Sequence, residues 1–391
     1  MSWDSKLLGE VVDLTQGFCI NKKSNHLVVE EGIPLLRITD MINSQQKIFI
    51  SPEIPKKFIA NKDDIIFTRT GQVGLVFRNQ YGIIHNNCFT VTPLNQELSR
   101  DYLYWFLRSE ETIKKAKGLA AGSAQPDLNH GAFKSISIAY PKSLQTQKRI
   151  ADILSAYDNL IENNLKRIKL LEQAAQNIYK EWFVNLRFPG HENTPINEET
   201  GLPEGWEKKS AFDLFDIKGG TQPPKSQWSD VKKDGYVRMV QIRDYKTDTH
   251  IAYVKDDKKL RRCGKEDIMI ARYGASVGRI CWGIEGVYNV ALAKVIPYDD
   301  AYLEYIRWYV KSYFFQESLL GMTQRAAQDG FNKDTFKSLT AIIPNINVVT
   351  KFDNIVYPML KQMELLKNKN QKLKAARDIL LPRLMNRTIE V

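Results

Sequence analysis

The strongest constraint on this chain is an internal repeat, offset by 203 residues, as from Asp64 to Asp267. D-I-I-F-T-R-T-G from Asp64 returns as D-I-M-I-A-R-Y-G, and Y-L-Y-W-F-L-R-S from Tyr102 returns as Y-I-R-W-Y-V-K-S from Tyr305. Trp3 and Asp13 recur as Trp206 and Asp216. Gly118, Gln125, Asn129, Phe133, Lys134, Ser135 and Pro141 recur as Gly321, Gln328, Asn332, Phe336, Lys337, Ser338 and Pro344. A one-residue insertion after Gly274 is compensated further on. One module is used twice. Strand-like runs at 33–38, 65–68 and 136–139 alternate with helical patches such as 102–107.

Each module is followed by a helix with heptad spacing. In the first, Ile150, Leu154, Tyr157, Ile161, Asn164, Ile168, Leu171, Ala175, Ile178 and Trp182 lie three or four residues apart. Residues 150–183 would make a helix roughly 50 Å long, more than one small domain needs. The second seam runs through Phe352, Val356, Met359, Met363, Leu366, Leu373, Leu380 and Leu384. Each seam holds one Asn, Asn164 and Asn370, the expected keepers of register. Pro358 predicts a kink or a restart in the second helix. The boundaries read as a first module at 1–142, a spacer helix at 143–186 and a polar linker at 187–205. A second module follows at 206–344 and a second helix at 345–391. The fold class is α+β, with two similar α/β modules joined by two long helices in an antiparallel coiled coil, a pseudo-two-fold internal repeat.

A net charge of +11 makes a polyanion the first partner to consider. Four scattered cysteines support neither a disulfide framework nor a zinc site, and no metal ligands are expected. No apolar window approaches membrane length, so a cytoplasmic protein is expected. Motifs for nucleotide, phosphate, zinc-hydrolase or nucleophile-elbow chemistry are absent from the sequence. The five histidines do not recur between copies, which argues against a shared catalytic histidine. The recurring acids Asp40/Asp244 and Asp64/Asp267 sit beside turns, where a structural role is expected.

Two repeated loops carry the candidate binding residues. The first is the R-x-G turn after a strand, with Arg69, Thr70 and Gln72 in one copy and Arg272, Tyr273 and Ser276 in the other. Its arginine suits a phosphate or a base edge, and equally an ion pair with a nearby acid. The second is G-L-A-A-G-S-A-Q from Gly118 against G-M-T-Q-R-A-A-Q from Gly321, which offers Ser123 and Gln125, then Gln324, Arg325 and Gln328. Asn129 and Asn332 read as helix N-caps. The aromatic patches around Trp105 and Trp308 have the spacing of core packing. Tyr179, Trp182 and Phe183 form a candidate docking patch for another protein, with packing against the linker as the alternative.

In order and duplication these blocks resemble the DNA-specificity subunit of type I restriction–modification systems. So do G-S-A-Q-P-D-L-N from Gly122, K-R-I-A-D-I-L-S-A-Y-D-N-L-I-E-N-N from Lys148 and E-W-F-V-N-L-R-F-P-G-H-E from Glu181. The resemblance implies two target-recognition domains, each reading half of a bipartite, asymmetric site in double-stranded DNA. It implies helices that act as a ruler and as the dock for two methyltransferase subunits and, through them, for restriction subunits. It also implies no catalysis by this chain, with S-adenosylmethionine, ATP and Mg2+ held by its partners. The alternatives are a free-standing DNA methyltransferase or nuclease with an unrecognised site, and a coiled-coil scaffold that binds no DNA.

Overall fold

A computed structural model describes the chain apart from Met1, residues 121–124, Asp248, residues 326–330 and Asn332, with only the backbone for residues 323–325. The chain divides into two compact units, Met1–Asn163 with Lys369–Val391, and Asn164–Asn368.

In the first unit, Val12–Gln16, Cys88–Pro93, Ile65–Thr68 and Val76–Phe77 form a four-stranded antiparallel sheet in that order. A five-stranded sheet runs Val28–Val29, Phe49–Ile50, Ile33–Leu36, Gly82–Ile84, Ile59–Ala60. Its third and fourth strands are parallel. Trp3–Leu7 pairs with Ser137–Pro141, which closes the module's ends on each other. The second unit repeats all three sheets with the same strand orders, from Glu207–Ser210 to Thr340–Ile343.

The run Ile65–Thr68 is buried throughout, and apolar up to Phe67, because both of its faces are covered. Ile65 and Phe67 point into a core with Trp105, Leu107 and Phe133 of the helices. Ile66 points the other way, with Cys88, against Leu36 and Ile84 of the five-stranded sheet. The second copy does the same, with Ile268 and Ile270 on the helical side and Met269 on the other. Gly17 and Gly220 each lie so close to a facing backbone carbonyl, of His85 and Asn289, that a β-carbon would collide with it. Trp105 and Trp308 are fully buried, as their helical spacing predicts. Tyr102 and Tyr305 both donate their hydroxyls to the closing strand, at Ala139 O (2.8 Å) and Ile342 O.

The central helix spans Leu144–Tyr179 and the C-terminal helix Ile346–Met385. Within each unit the two pair antiparallel. In the first, the Asn370 amide donates to Ile161 O (3.3 Å) while Arg377 pairs with Asp158. In the second, the Tyr179 and Trp182 rings meet Phe352 at 6.3 and 5.9 Å. Burial follows the heptad positions, and both Asn164 and Asn370 are buried in the seam. The helix does not restart at Pro358, since helical residues run through it. Proline removes a single N–H, and Val356 and Leu360 beside it are fully buried and hold the turn in place.

The expected docking patch is interior. Tyr179, Trp182 and Phe183 are only 6%, 8% and 2% exposed, in one core with Trp206, Tyr305 and Phe352. The helix ends there in a π turn, Lys180–Val184, and Phe188 of the following segment stacks on Trp206 at 5.0 Å. Part of the polar 187–205 stretch is therefore packed structure, with Phe188 and Leu202 buried.

Each module is also tied to the central helix by charge, from matching positions. Arg108 reaches Asp158 at 2.5 Å, and Lys311 reaches Glu172. Asp158 serves both Arg108 and Arg377, so Asp158→Ala removes an ion pair from each of two partly buried guanidinium groups, leaving Arg377 with Asp378 and Arg108 with the Tyr104 hydroxyl. Its expected cost is about 1–3 kcal/mol, read as a shift in the denaturant midpoint without a change of slope.

Candidate nucleic-acid interface

The two repeated loops, far apart in sequence, lie together in the first module. Arg69 leaves the strand Ile65–Thr68, and Gly71 turns the chain with φ +77°. The turn is held against the second loop by backbone hydrogen bonds: Gly71 N donates to Pro126 O (3.0 Å) and Leu128 N to Arg69 O (2.9 Å). Arg69 Nη2 donates to Asp127 Oδ2 at 2.7 Å, and Nη1 to Gln16 Oε1 at 3.1 Å. The Thr70 hydroxyl takes the other carboxylate oxygen at 2.5 Å. The Thr70 hydroxyl, and after it the Arg69 guanidinium, holds the Asp127 carboxyl below the usual carboxylate range. His130 is held below the ordinary histidine range by burial first and then by the charges of Arg69 and Lys134. Arg69 makes the ion pair in a tight turn that was one of the two readings open for it. Gln72 and Gln125 stand exposed on this face, and Thr70 is half-buried. Ser123 lies outside the described residues.

The second module keeps the frame and changes the contents. Arg272 N donates to Ala291 O (2.9 Å), as Arg69 N does to Asn87 O (2.8 Å). Gly274, at φ +70°, opens a short turn Gly274–Ser276, with Ser276 half-buried. The Arg272 side chain, however, lies over the ring of Tyr273 at 4.9 Å and makes no ion pair among the described residues. The two groups that hold Arg69 have no counterpart in sequence. Gln16 is replaced by Gly219 and Asp127 by Gly330. A β-carbon on Gly219 would collide with Arg272 Nη1, so the guanidinium fills the space that Gln16 fills in the first module. Tyr273 is 46% exposed, an aromatic face in the open. Arg261, an exposed side chain just before the strand Arg262–Cys263, also donates to Gly219 O. Gln328 and the side chains of Gln324 and Arg325 lie outside the described residues.

The bland readings hold at several positions. Asn129 caps the helix His130–Lys134 by accepting from Ala132 N at 2.8 Å. Asp64 and Asp267 close turns by accepting from Asn61 N (2.8 Å) and Gly264 N (2.7 Å). Asp40 is held by Arg37 at 2.6 Å. Motif reading missed Gln16, Asp127 and Arg261. A residue-by-residue comparison of the two copies would have exposed all three, because each changes chemical type between them.

Two modules of identical strand order, each ending in a glycine-turned, arginine-bearing face and each carried on a pair of long helices, define a duplicated recognition protein. The family model for the type I restriction modification DNA specificity domain matches residues 1–173 and again 203–375, and the chain belongs to that family. It is 23% identical to the type I restriction enzyme MjaIX specificity subunit of Methanocaldococcus jannaschii, over 98% of this chain and 92% of that protein. It is likewise 23% identical to the HindI specificity subunit of Haemophilus influenzae, over 98% and 99%. A crystal structure of a type I system S subunit from M. genitalium has the same fold, with a TM-score of 0.62 at 17% identity over 98% of this chain and 96% of that one. The chain is a DNA-recognition subunit, non-catalytic, of a restriction–modification system. Among the described residues no helix is long and apolar enough to cross a membrane.

Proposed function

We propose that this chain reads a bipartite, asymmetric site in double-stranded DNA, one half per module, and docks two adenine-methyltransferase subunits and through them the restriction subunits. The observation that carries this reading is the pair of faces on one frame with different contents: Gln16, Arg69 and Asp127 in one, Gly219, Arg272 and Tyr273 in the other. A kept frame with exchanged side chains is what two readers of unlike half-sites require. Gln72, Gln125, Thr70 and Ser276 are the candidates for base edges, since amide and hydroxyl groups suit major-groove donor and acceptor patterns. Affinity comes mostly from phosphate contacts and specificity from a few base contacts per half. The long helices act as the ruler, and readers roughly 34 Å apart would meet one face of the duplex. S-adenosylmethionine, ATP and Mg2+ belong to the partner subunits, and the complex works in the cytoplasm on the host's own DNA.

The test is binding of the assembled complex to site-containing and scrambled duplexes across a salt series. Specific binding is expected to exceed non-specific binding by at least about 10³-fold near physiological salt. Equal affinity for both duplexes would refute the reading.

A further inference from the structure

We infer that Arg261 and Arg272, meeting at Gly219, form a clamp for a DNA backbone phosphate that the second module has and the first lacks; this rests on the DNA-reading function proposed above. Arg261 Nη1 donates to the carbonyl of Gly219, and Arg272 Nη1 lies where a side chain on Gly219 would begin. Two guanidinium groups thus touch one residue. Neither makes an ion pair among the described residues, although neighbouring cations do: Arg262 with Asp256, and Lys294 with Asp267 at 2.6 Å. Like charges gathered without a counter-charge repel, and an anion between them relieves the repulsion. Guanidinium forks match phosphate oxygens, and a glycine lets a sugar–phosphate backbone come close. Stacking on Tyr273 holds the Arg272 plane while the clamp is empty.

The first module shows the same place closed. There Arg69 is neutralised by Asp127 and bonded to Gln16. The position of Arg261 is taken by Phe58, which packs edge-on against Phe18 at 5.3 Å. Phe18 in turn corresponds to Thr221, whose hydroxyl accepts from Arg261 N at 3.1 Å. An apolar contact and a satisfied ion pair have become two cations around a glycine. The two half-sites therefore carry unequal shares of the electrostatic affinity.

The experiment measures binding of the assembled complex to its site over a salt series, with Arg261→Ala, Arg272→Ala, Arg261→Lys and Arg262→Ala. Each alanine variant in the clamp is expected to lower the slope of log K against log salt measurably, and the double variant, which frees the one clamped phosphate, by about 1. Arg261→Lys keeps the charge and the slope, which separates the clamp from misfolding. Arg262→Ala removes an equal charge already paired with Asp256 and leaves the slope unchanged. Unchanged slopes for both Arg261→Ala and Arg272→Ala would overturn the clamp. So would an equal fall with Arg262→Ala, or lost preference at one base pair with the slope retained, which would make the arginines base readers. A wild-type complex with no preference for its site would instead contradict the recognition function, and the clamp with it.

Discussion

Phe183→Ala is expected to destabilise the second unit by about 3–5 kcal/mol and to lower its unfolding temperature by on the order of 10 °C. Phe183 is a ring that five others close on, its neighbour Trp182 and four rings from further away in the chain. Tyr305 meets it at 4.8 Å, Phe352 at 5.0 Å, Tyr179 at 5.3 Å and Trp206 at 5.9 Å. Those rings come from the second module, the C-terminal helix, the central helix and the residue at which the second module begins. No single neighbour can move to fill the hole without leaving another, so the cavity term adds to the lost transfer energy. Calorimetry of the variant decides between interior and surface. A surface docking residue would leave the melting curve in place and weaken only an association.

Inserting seven residues into each long helix, at 163/164 and 368/369, is expected to lengthen the gap between the half-sites without altering either half-sequence. Both points fall where one compact unit gives way to the other, so each module keeps its own contacts with the helices. A heptad keeps the seam in phase, so Ile161 and Asn164 on one helix and Leu366 and Asn370 on the other still face inward. Seven helical residues add about 10 Å, at most about three base pairs along the duplex. An insertion of five residues would rotate the seam and abolish recognition instead. A gap unchanged by the heptad would end the ruler reading, and a changed half-sequence would place base reading in the helices.

Much of the fold was legible because the chain prints it twice. Ile65–Thr68, the buried Trp105 and the Asn129 cap follow from local pattern; the second copy checks the first two, and Asn332, which answers to Asn129, lies outside the described residues. The heptads foretold which helix faces are buried, including Asn164 and Asn370. What they did not tell was which surface covers the end of the seam. Tyr179, Trp182 and Phe183 exceed what a two-helix contact needs because the second module, through Trp206 and Tyr305, packs there too. Pro358 does not stop the helix for a related reason: local helix propensity is outweighed when the flanking residues are fully buried. At the candidate interface the sequence gives arginines in turns but not their partners. Gln16 and Asp127 stand 53 and 58 residues from Arg69, and only folding brings them within bonding distance. The difference between a held arginine and an open one therefore lay in Gln16, which stands in none of the blocks that carry the repeat or the resemblance, and in Asp127, which G-S-A-Q-P-D-L-N contains without marking it as a partner of Arg69.

The account stands or falls on each module reading its own half of a split site. Genome-wide mapping of methylated adenines in cells that express the complete system tests this directly. The expected result is one motif of two unlike half-sequences separated by a fixed gap of unspecified bases. A contiguous motif, a palindrome read by the full chain, or methylation with no shared sequence would contradict it.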